Sequence, residues 1–475
     1  MKKILSIVVL GVILSLGLNS CSDDFLSLDP HQSFDAKDAF RSPKDITNAL
    51  SATYDGFGQS GFWGRNVVAL GDIAADNCYM TGSSGHYDGI YLYAIVEQNA
   101  DLEAIWYRGY QAIDRATKVI KYATPMLDQP TVTASEKAEL RSAIAQAHGI
   151  RALTSFYMVN IFGLPYDPAG TNNGLGIVLV KENPINITDQ ISRSTVAETY
   201  TYILDEITAA RSWYAQTTAS PDAYYFTPAA VDALEARVRL FMGNWAAAIT
   251  AAEDALKNSG ATLVSDGAAY YDMWGSTALT PEDIFTLTYS SDDNLSANSI
   301  NTLYGSYNGR ANQDLMALFA ATDYRRSLFG DASKADRPMK YRGLPTSAAT
   351  SNIPVFRASE MFLIIAEANA NLDQIPLAQD ALFEVAQRNT VLVKADLPSV
   401  KADLLDFIQT ERRRELFQEG HRWYDLRRTR SLMNRTGRKA ITNYAVYEFA
   451  YPVPAYEVNA SGLQQNTDWD AKLPQ

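Results

Sequence analysis

The chain has 475 residues, 47% of them hydrophobic and 20% charged, with a formal net charge of −13. That acidity argues against nucleic acid or an anionic polymer as the main partner. The histidines (His31, His86, His148, His421) and cysteines (Cys21, Cys78) have no zinc-ligand spacing, so neither a metal nor a cofactor is expected.

In chain order, Lys2 and Lys3 precede an uncharged apolar run from Ile4 to Leu18. This is the layout of a signal peptide over residues 1–20, too short for a comfortable membrane span. A small residue, Ser20, stands before Cys21, the pattern of a lipoprotein signal, although Asn19 is not the usual Ala, Ser or Thr. Lipidation of Cys21 is therefore expected, against the alternative of a soluble exported protein with an incidental cysteine. Cys78 is then left without a disulfide partner. Residues 21–34 read as a lipidated tether and 35–475 as a single domain. No other apolar run could cross a bilayer, which leaves the lipid as the only anchor.

Asp35 and Ser42 are candidate N-caps for a helix whose face carries Ile46, Leu50 and Tyr54. Residues 55–100 have no sustained period and are rich in Gly, Ser, Asn and aromatics, a long loop of the functional kind. Asp72 and Asp76 within it, or Asp72 with His86, could be an acid/base pair of a surface glycoside hydrolase or lyase. The favoured reading of the two carboxylates is capping or hydrogen bonding to loop amides. Helical periods return over 102–122 and 135–162, with His148 as a satisfied core or groove residue. A loop over 163–194 follows, its apolar run Gly176–Val180 suited to a strand. After a helix over 195–214, residues 227–258 and 358–389 repeat one plan of helix, turn and helix at close to the tetratricopeptide length of about 34 residues. Between the repeats, 259–345 is a second aromatic-rich insertion, holding Tyr270, Tyr271, Trp274, Tyr289, Tyr304 and Tyr307 and an alternating stretch at 284–289. Arg325, Arg326, Arg337, Lys340 and Arg342 read there as a solvated basic face.

Residues 401–430 carry the strongest signal. Leu405, Ile408, Arg412, Leu416, Glu419 and Trp423 share one helical face, so charges stand on an apolar stripe. Glu415 lies within reach of Arg412 and Glu419 along that helix, and Gly420 should break it before a shorter helix over 421–429. Buried charges must be paired, so the stretch reads as a structural clamp. Its text, ERRRELFQEGHRWYDLRR, resembles the C-terminal signature of the SusD/RagB family at Glu411, Arg412, Arg413, Glu415, Leu416, Glu419, Gly420, Arg422, Asp425, Leu426 and Arg428. The family's closing pattern is matched at Tyr451, Pro452, Pro454, Glu457, Gln465 and Asn466. That closing segment reads as an extended course with no chemistry of its own.

The resemblance implies a mainly α, tetratricopeptide-like (SusD-like) helix-pair scaffold with long loop insertions and a few short strands. It implies a lipid-anchored, surface-exposed outer-membrane protein of Gram-negative bacteria. Such a protein captures glycans, or oligopeptides as the alternative, and passes them to a SusC-like TonB-dependent transporter, with no catalysis of its own. For the ligand site the loop argument alone gives Asp72, Asn77, Tyr79, His86, Tyr87, Tyr91, Trp274 and Tyr304, on one surface composed from both insertions. Trp106, Trp245 and Trp423 lie on periodic faces and are assigned to the core. Trp63 either joins the site or plugs the end of the first helix.

Overall fold

The computed structural model describes residues 39–186, 189–331 and 334–474; the signal segment, Cys21, the tether and the proposed cap Asp35 lie outside them. The helices of seven residues or more are α1 Pro43–Gly58, α2 Asn66–Ile73, α3 Ala100–Ala123, α4 Ala134–Phe162, α5 Val196–Tyr214, α6 Pro228–Phe241, α7 Trp245–Ser259, α8 Gly267–Met273, α9 Ala358–Asn371, α10 Ile375–Ala386, α11 Lys401–Glu415, α12 Arg422–Arg428 and α13 Ala455–Ser461. Three two-stranded antiparallel pairs accompany them: β1 Cys78–Met80 with β3 Gly309–Ala311, β2 Asp283–Leu287 with β4 Ile353–Arg357, and β5 Met433–Arg435 with β6 Ile441–Tyr444. The mainly helical expectation holds.

The helix starts follow local chemistry. Ser42 with Asp45, Thr133 with Glu136 and Thr195 with Glu198 each form a reciprocal capping box, satisfying amides that a helix start leaves bare. Thr227 caps α6 ahead of Pro228, which lacks the N–H that this position would waste. The helices then stack in sequence, α3 on α4, α4 on α5, α6 on α7, α7 on α9 and α9 on α10, with α11 against α9. The two repeats are thus neighbours, and α7 and α9 join them. Their alanines (Ala248, Ala252 and Ala255 on α7, Ala366 and Ala370 on α9) are buried, which lets the helices approach closely. One apolar core runs from Phe57 and Leu70 through Phe156, Leu234 and Leu363 to Trp423 and Tyr451.

Several expectations need correction. The stretch 55–100 is not one loop: α2, NVVALGDI, is buried at all eight positions. A helix wrapped on every side needs no polar face, so it shows no amphipathic period. Gly176–Val180 is extended but forms no strand. It is held by the Leu175–Thr195 bridge and by hydrogen bonds between Gly176 and Ser194 and between Ser194 and Ile177. The closing segment is extended only to Pro454, then turns into α13. Among the described residues, no helix is long and apolar enough to cross a membrane.

Candidate ligand-binding surface

The clamp expected at 401–430 is present, but its partners are distant in sequence. α11 ends at Glu415, and Gly420, at φ +82°, gives the left-handed turn into α12. Glu415 does not pair with Arg412. Its carboxylate instead lies 2.7 Å from Arg357 Nη1, 3.0 Å from Arg325 Nη1 and 3.2 Å from Arg388 Nε. Glu419 takes Arg357 Nε at 2.7 Å and Lys340 Nζ at 2.5 Å, Glu411 takes Arg325 at 2.6 Å, and Glu282 joins Arg357 to Arg388. Burial alone would raise the Glu415 pKa, but Arg388, Arg357, Arg325 and Lys340 outweigh it and hold the carboxyl well below the usual range. Arg325 and Lys340, expected on a solvated face, are completely buried here. They sit there because carboxylates from another part of the chain neutralise them.

The same signature grips the first insertion. Asp72 accepts the backbone N–H groups of Gln418 at 3.0 Å and Gly420 at 2.8 Å, and the Asn77 amide at 2.7 Å. Burial nevertheless pushes its pKa up to about 6. Asp76 receives Arg422 Nε at 2.6 Å and lies 3.4 Å from Arg413 Nη1; Arg413 Nε also donates to Asn77 Oδ1 at 2.8 Å. Hydrogen bonding to amides is realised at Asp72, whereas Asp76 is held by two arginines instead, and both carboxylates are buried.

The Asp76 pKa follows from these contacts. Burial would raise it, yet Arg422 and Arg413 bring it down to about 2. A carboxyl lowered in the fold adds stability above its unfolded pKa of about 3.9, lost as the pH falls through the folded value. Two units correspond to about 3 kcal/mol. Urea unfolding of Asp76→Asn is expected to show a loss of that order at pH 7 and a wild-type advantage that shrinks between pH 4 and 2. An advantage unchanged at pH 2 would contradict the assignment.

With both insertions tied to the signature, they also meet each other. β1 pairs with β3, placing Tyr79 opposite Arg310, and Asn312 N donates to Asn77 O at 2.8 Å. Beside this ribbon the His86 ring stacks on Tyr307, with centroids 3.8 Å apart and planes 17° apart. Ser84 Oγ donates to Tyr307 O at 3.0 Å and Asn308 Nδ2 to Ser83 Oγ at 2.9 Å, so the two turns hold each other. Tyr79 donates to Asp336 Oδ2 at 2.8 Å; burial, then Asp336, push its pKa up to about 12. Tyr79, His86, Tyr307 and Asn308 are half-buried and Ser83 is exposed.

The other residues expected at the site lie beneath this surface. Asp72, Asn77, Tyr87, Tyr91, Trp274 and Tyr304 are all buried, as is Trp63, which plugs the core. The expectation that loop aromatics stay exposed fails because cations from other parts of the chain lie against them. Lys340 Nζ lies 4.5 Å from the Trp274 ring, the Arg435 guanidinium 4.3 Å from Tyr91 and that of Arg65 5.8 Å from Tyr87. Tyr304 instead packs against Gly309 and Cys78, sealing the ribbon. Sequence reasoning did not single out Tyr307 and Asn308, which meet His86 and Ser83 at this surface. Asn308 at φ +62°, before Gly309, makes the turn that presents Tyr307, and Tyr-Asn-Gly was the available signal.

Two family models match the chain, one described as the SusD family over residues 336–472, the other as "Starch-binding associating with outer membrane" over 24–240. The first contains the whole 401–430 signature.

The chain belongs to the SusD family.

Its relatives include SusD-like protein P2 of Formosa agariphila, 24% identical, with 96% of this chain and 98% of that protein aligned. Among solved structures, this SusD-family chain is similar to a putative sugar-binding protein from Bacteroides vulgatus, 22% identical with a TM-score of 0.81 over 91% of this chain and 99% of that one. It is also similar to a SusD superfamily protein from Bacteroides thetaiotaomicron, 24% identical with a TM-score of 0.77 over 90% and 100%. The SusD signature here is a buried ionic hub. Its arginines and glutamates hold both insertions, and together these form the half-exposed ribbon and ring stack.

Proposed function

We propose that this chain is a non-catalytic, lipid-anchored cell-surface protein, one domain following a tether from Cys21. It captures oligosaccharides or polysaccharides and passes them to a SusC-like TonB-dependent transporter. The observation that carries this reading is the His86–Tyr307 stack, to which each insertion contributes one ring. Half-exposed aromatic rings cover the apolar C–H faces of a sugar, while Ser83, Asn308 and Asp336 at the rim can hydrogen-bond its hydroxyls. Each stack would contribute on the order of 1 kcal/mol at ~25 cal/mol per Å². A few stacks with hydrogen bonds then give dissociation constants from about millimolar to micromolar, weak enough for hand-over. Family membership, and a relative described as sugar-binding, support the glycan class. The engagement of Asp72 and Asp76 with backbone amides and arginines supports binding without catalysis. Glycan arrays and oligopeptide mixtures, tested side by side on soluble protein beginning at Ser22, should return glycans. Binding confined to peptides would overturn the glycan class, and turnover of a bound glycan would overturn the non-catalytic reading.

A further inference from the structure

A groove lies on elements that the composite surface does not use. It has a volume of about 850 Å³ and is bounded by the loop after α4, the start of α5 and the closing segment from Tyr447 to Lys472. That volume is within the roughly 300–1,000 Å³ of small-molecule sites. The loop wall is fixed by Asn172, which accepts from Asp167 N at 2.7 Å and donates to Asp167 O at 2.9 Å. Two half-buried rings, Tyr447 and Trp469, line the other wall. Around them stand the exposed side chains of Asn173, Gln464 and Thr467, which find no hydrogen-bond partner among the described residues.

The charges at the groove select the ligand class. Arg430 is paired with Asp167 at 2.8 Å and Lys472 with Glu448 at 3.5 Å, so each cation at the rim has a carboxylate beside it. An ionised ligand would have to compete with these pairs. A neutral, hydroxyl-rich ring does not, and it is complementary to the rest of the lining: the Trp469 ring, the Tyr447 ring with the Arg430 guanidinium 5.7 Å from its centroid, two side-chain amides and a hydroxyl.

We propose that the groove between the 164–175 loop and the 447–472 closing segment is a second glycan-binding site, with Trp469 and Tyr447 as its stacking rings and Asn173 and Gln464 as its hydroxyl partners. The inference rests on the glycan-capture reading and adds a site to it. Two sites on one protein let a polysaccharide engage both, so that binding at the first raises the effective concentration at the second.

The test is calorimetric titration of the soluble chain from Ser22 with neutral gluco-, xylo- and manno-hexasaccharides, alongside Trp469→Ala, Tyr307→Ala and the surface pair Asn173→Ala with Gln464→Ala. Two classes of site are expected. Trp469→Ala should weaken one class about tenfold or more while leaving the other in place, and Tyr307→Ala should do the reverse. The exposed amide pair, which does not threaten folding, should weaken the Trp469-dependent class severalfold and serves if Trp469→Ala does not fold. A single class, lost in Tyr307→Ala and untouched by the Trp469 and amide variants, overturns the second site and leaves the capture reading standing. No binding by any hexasaccharide overturns both.

Discussion

Glu415→Ala is expected to destabilise the fold by about 3–5 kcal/mol, seen as a large fall in the urea midpoint at pH 7. The side chain is completely buried, and three guanidinium groups, those of Arg325, Arg357 and Arg388, converge on its two oxygens. Tyr270 adds a hydroxyl donor at 3.2 Å. Removing the carboxylate returns none of these groups to water. Each guanidinium keeps some partners, Arg325 on Asp323 and Glu411, Arg357 on Glu282 and Glu419, and Arg388 on Glu282, but all three lose the buried acceptor they share. The cost arises from leaving these buried donors without the acceptor on which they converge. Lys394→Ala is the control: its pair with Asp380 is well exposed on both sides and should be worth less than about 1 kcal/mol. If Glu415→Ala cost no more than Lys394→Ala, the ionic hub would not hold the fold together.

Gly71→Ala should be comparably damaging, with a sign opposite to that expected from helix propensity. Within a helix, alanine is favoured over glycine by about 1 kcal/mol, so a helix judged in isolation would gain. A Cβ on Gly71, however, would stand 2.2 Å from Gly420 O, 2.3 Å from its carbonyl carbon and 2.5 Å from its Cα. These are backbone atoms and cannot rotate aside. The next residue, Asp72, ties the same turn down through Gly420 N. Separating α2 from the 416–421 turn would break those bonds and loosen the contacts of Asp76 with Arg413 and Arg422. A loss greater than about 3 kcal/mol, or failure to accumulate as soluble protein, is expected. Unchanged or increased thermal stability would mean that this close approach does not constrain the fold.

Much of the scaffold was legible in the sequence because its signals are local. The repeat helices carry apolar periods and α6 its own Thr227 cap, so α6 and α7 fall where Pro228 and the Gly243–Asn244 turn place them. The signature at 401–430 announced buried charges by setting Arg412 and Glu419 on an apolar stripe. Their partners were not legible. Arg325, Lys340 and Arg357 are some 60–90 residues away from Glu415, and no periodicity links them to it. The same blindness misplaced most of the ligand-site candidates. Trp274 and Tyr91 sit in polar, glycine-rich text, and whether such a ring is exposed depends on whether a distant lysine or arginine covers it. His86 and Tyr79 remained at the surface because what packs on them is another half-exposed residue, Tyr307 in one case and Asp336 in the other. The closing segment misled in a further way. Pro452 and Pro454 correctly signalled an extended course, but Trp469 and Gln464 beyond it line a groove that exists only once the 164–175 loop is folded against them.

In the proposed reading, the signature clamps two insertions into one ligand-binding surface. The most direct measurement is the affinity of soluble Tyr307→Ala, beside wild type, for a glycan that wild type binds. The account predicts unchanged thermal stability to within a few degrees and a dissociation constant for the His86–Tyr307 site weakened about tenfold or more, near 1.4 kcal/mol. His86→Ala should give a similar loss, because each ring supports the other. Wild-type affinity at every site in a folded Tyr307→Ala would contradict it.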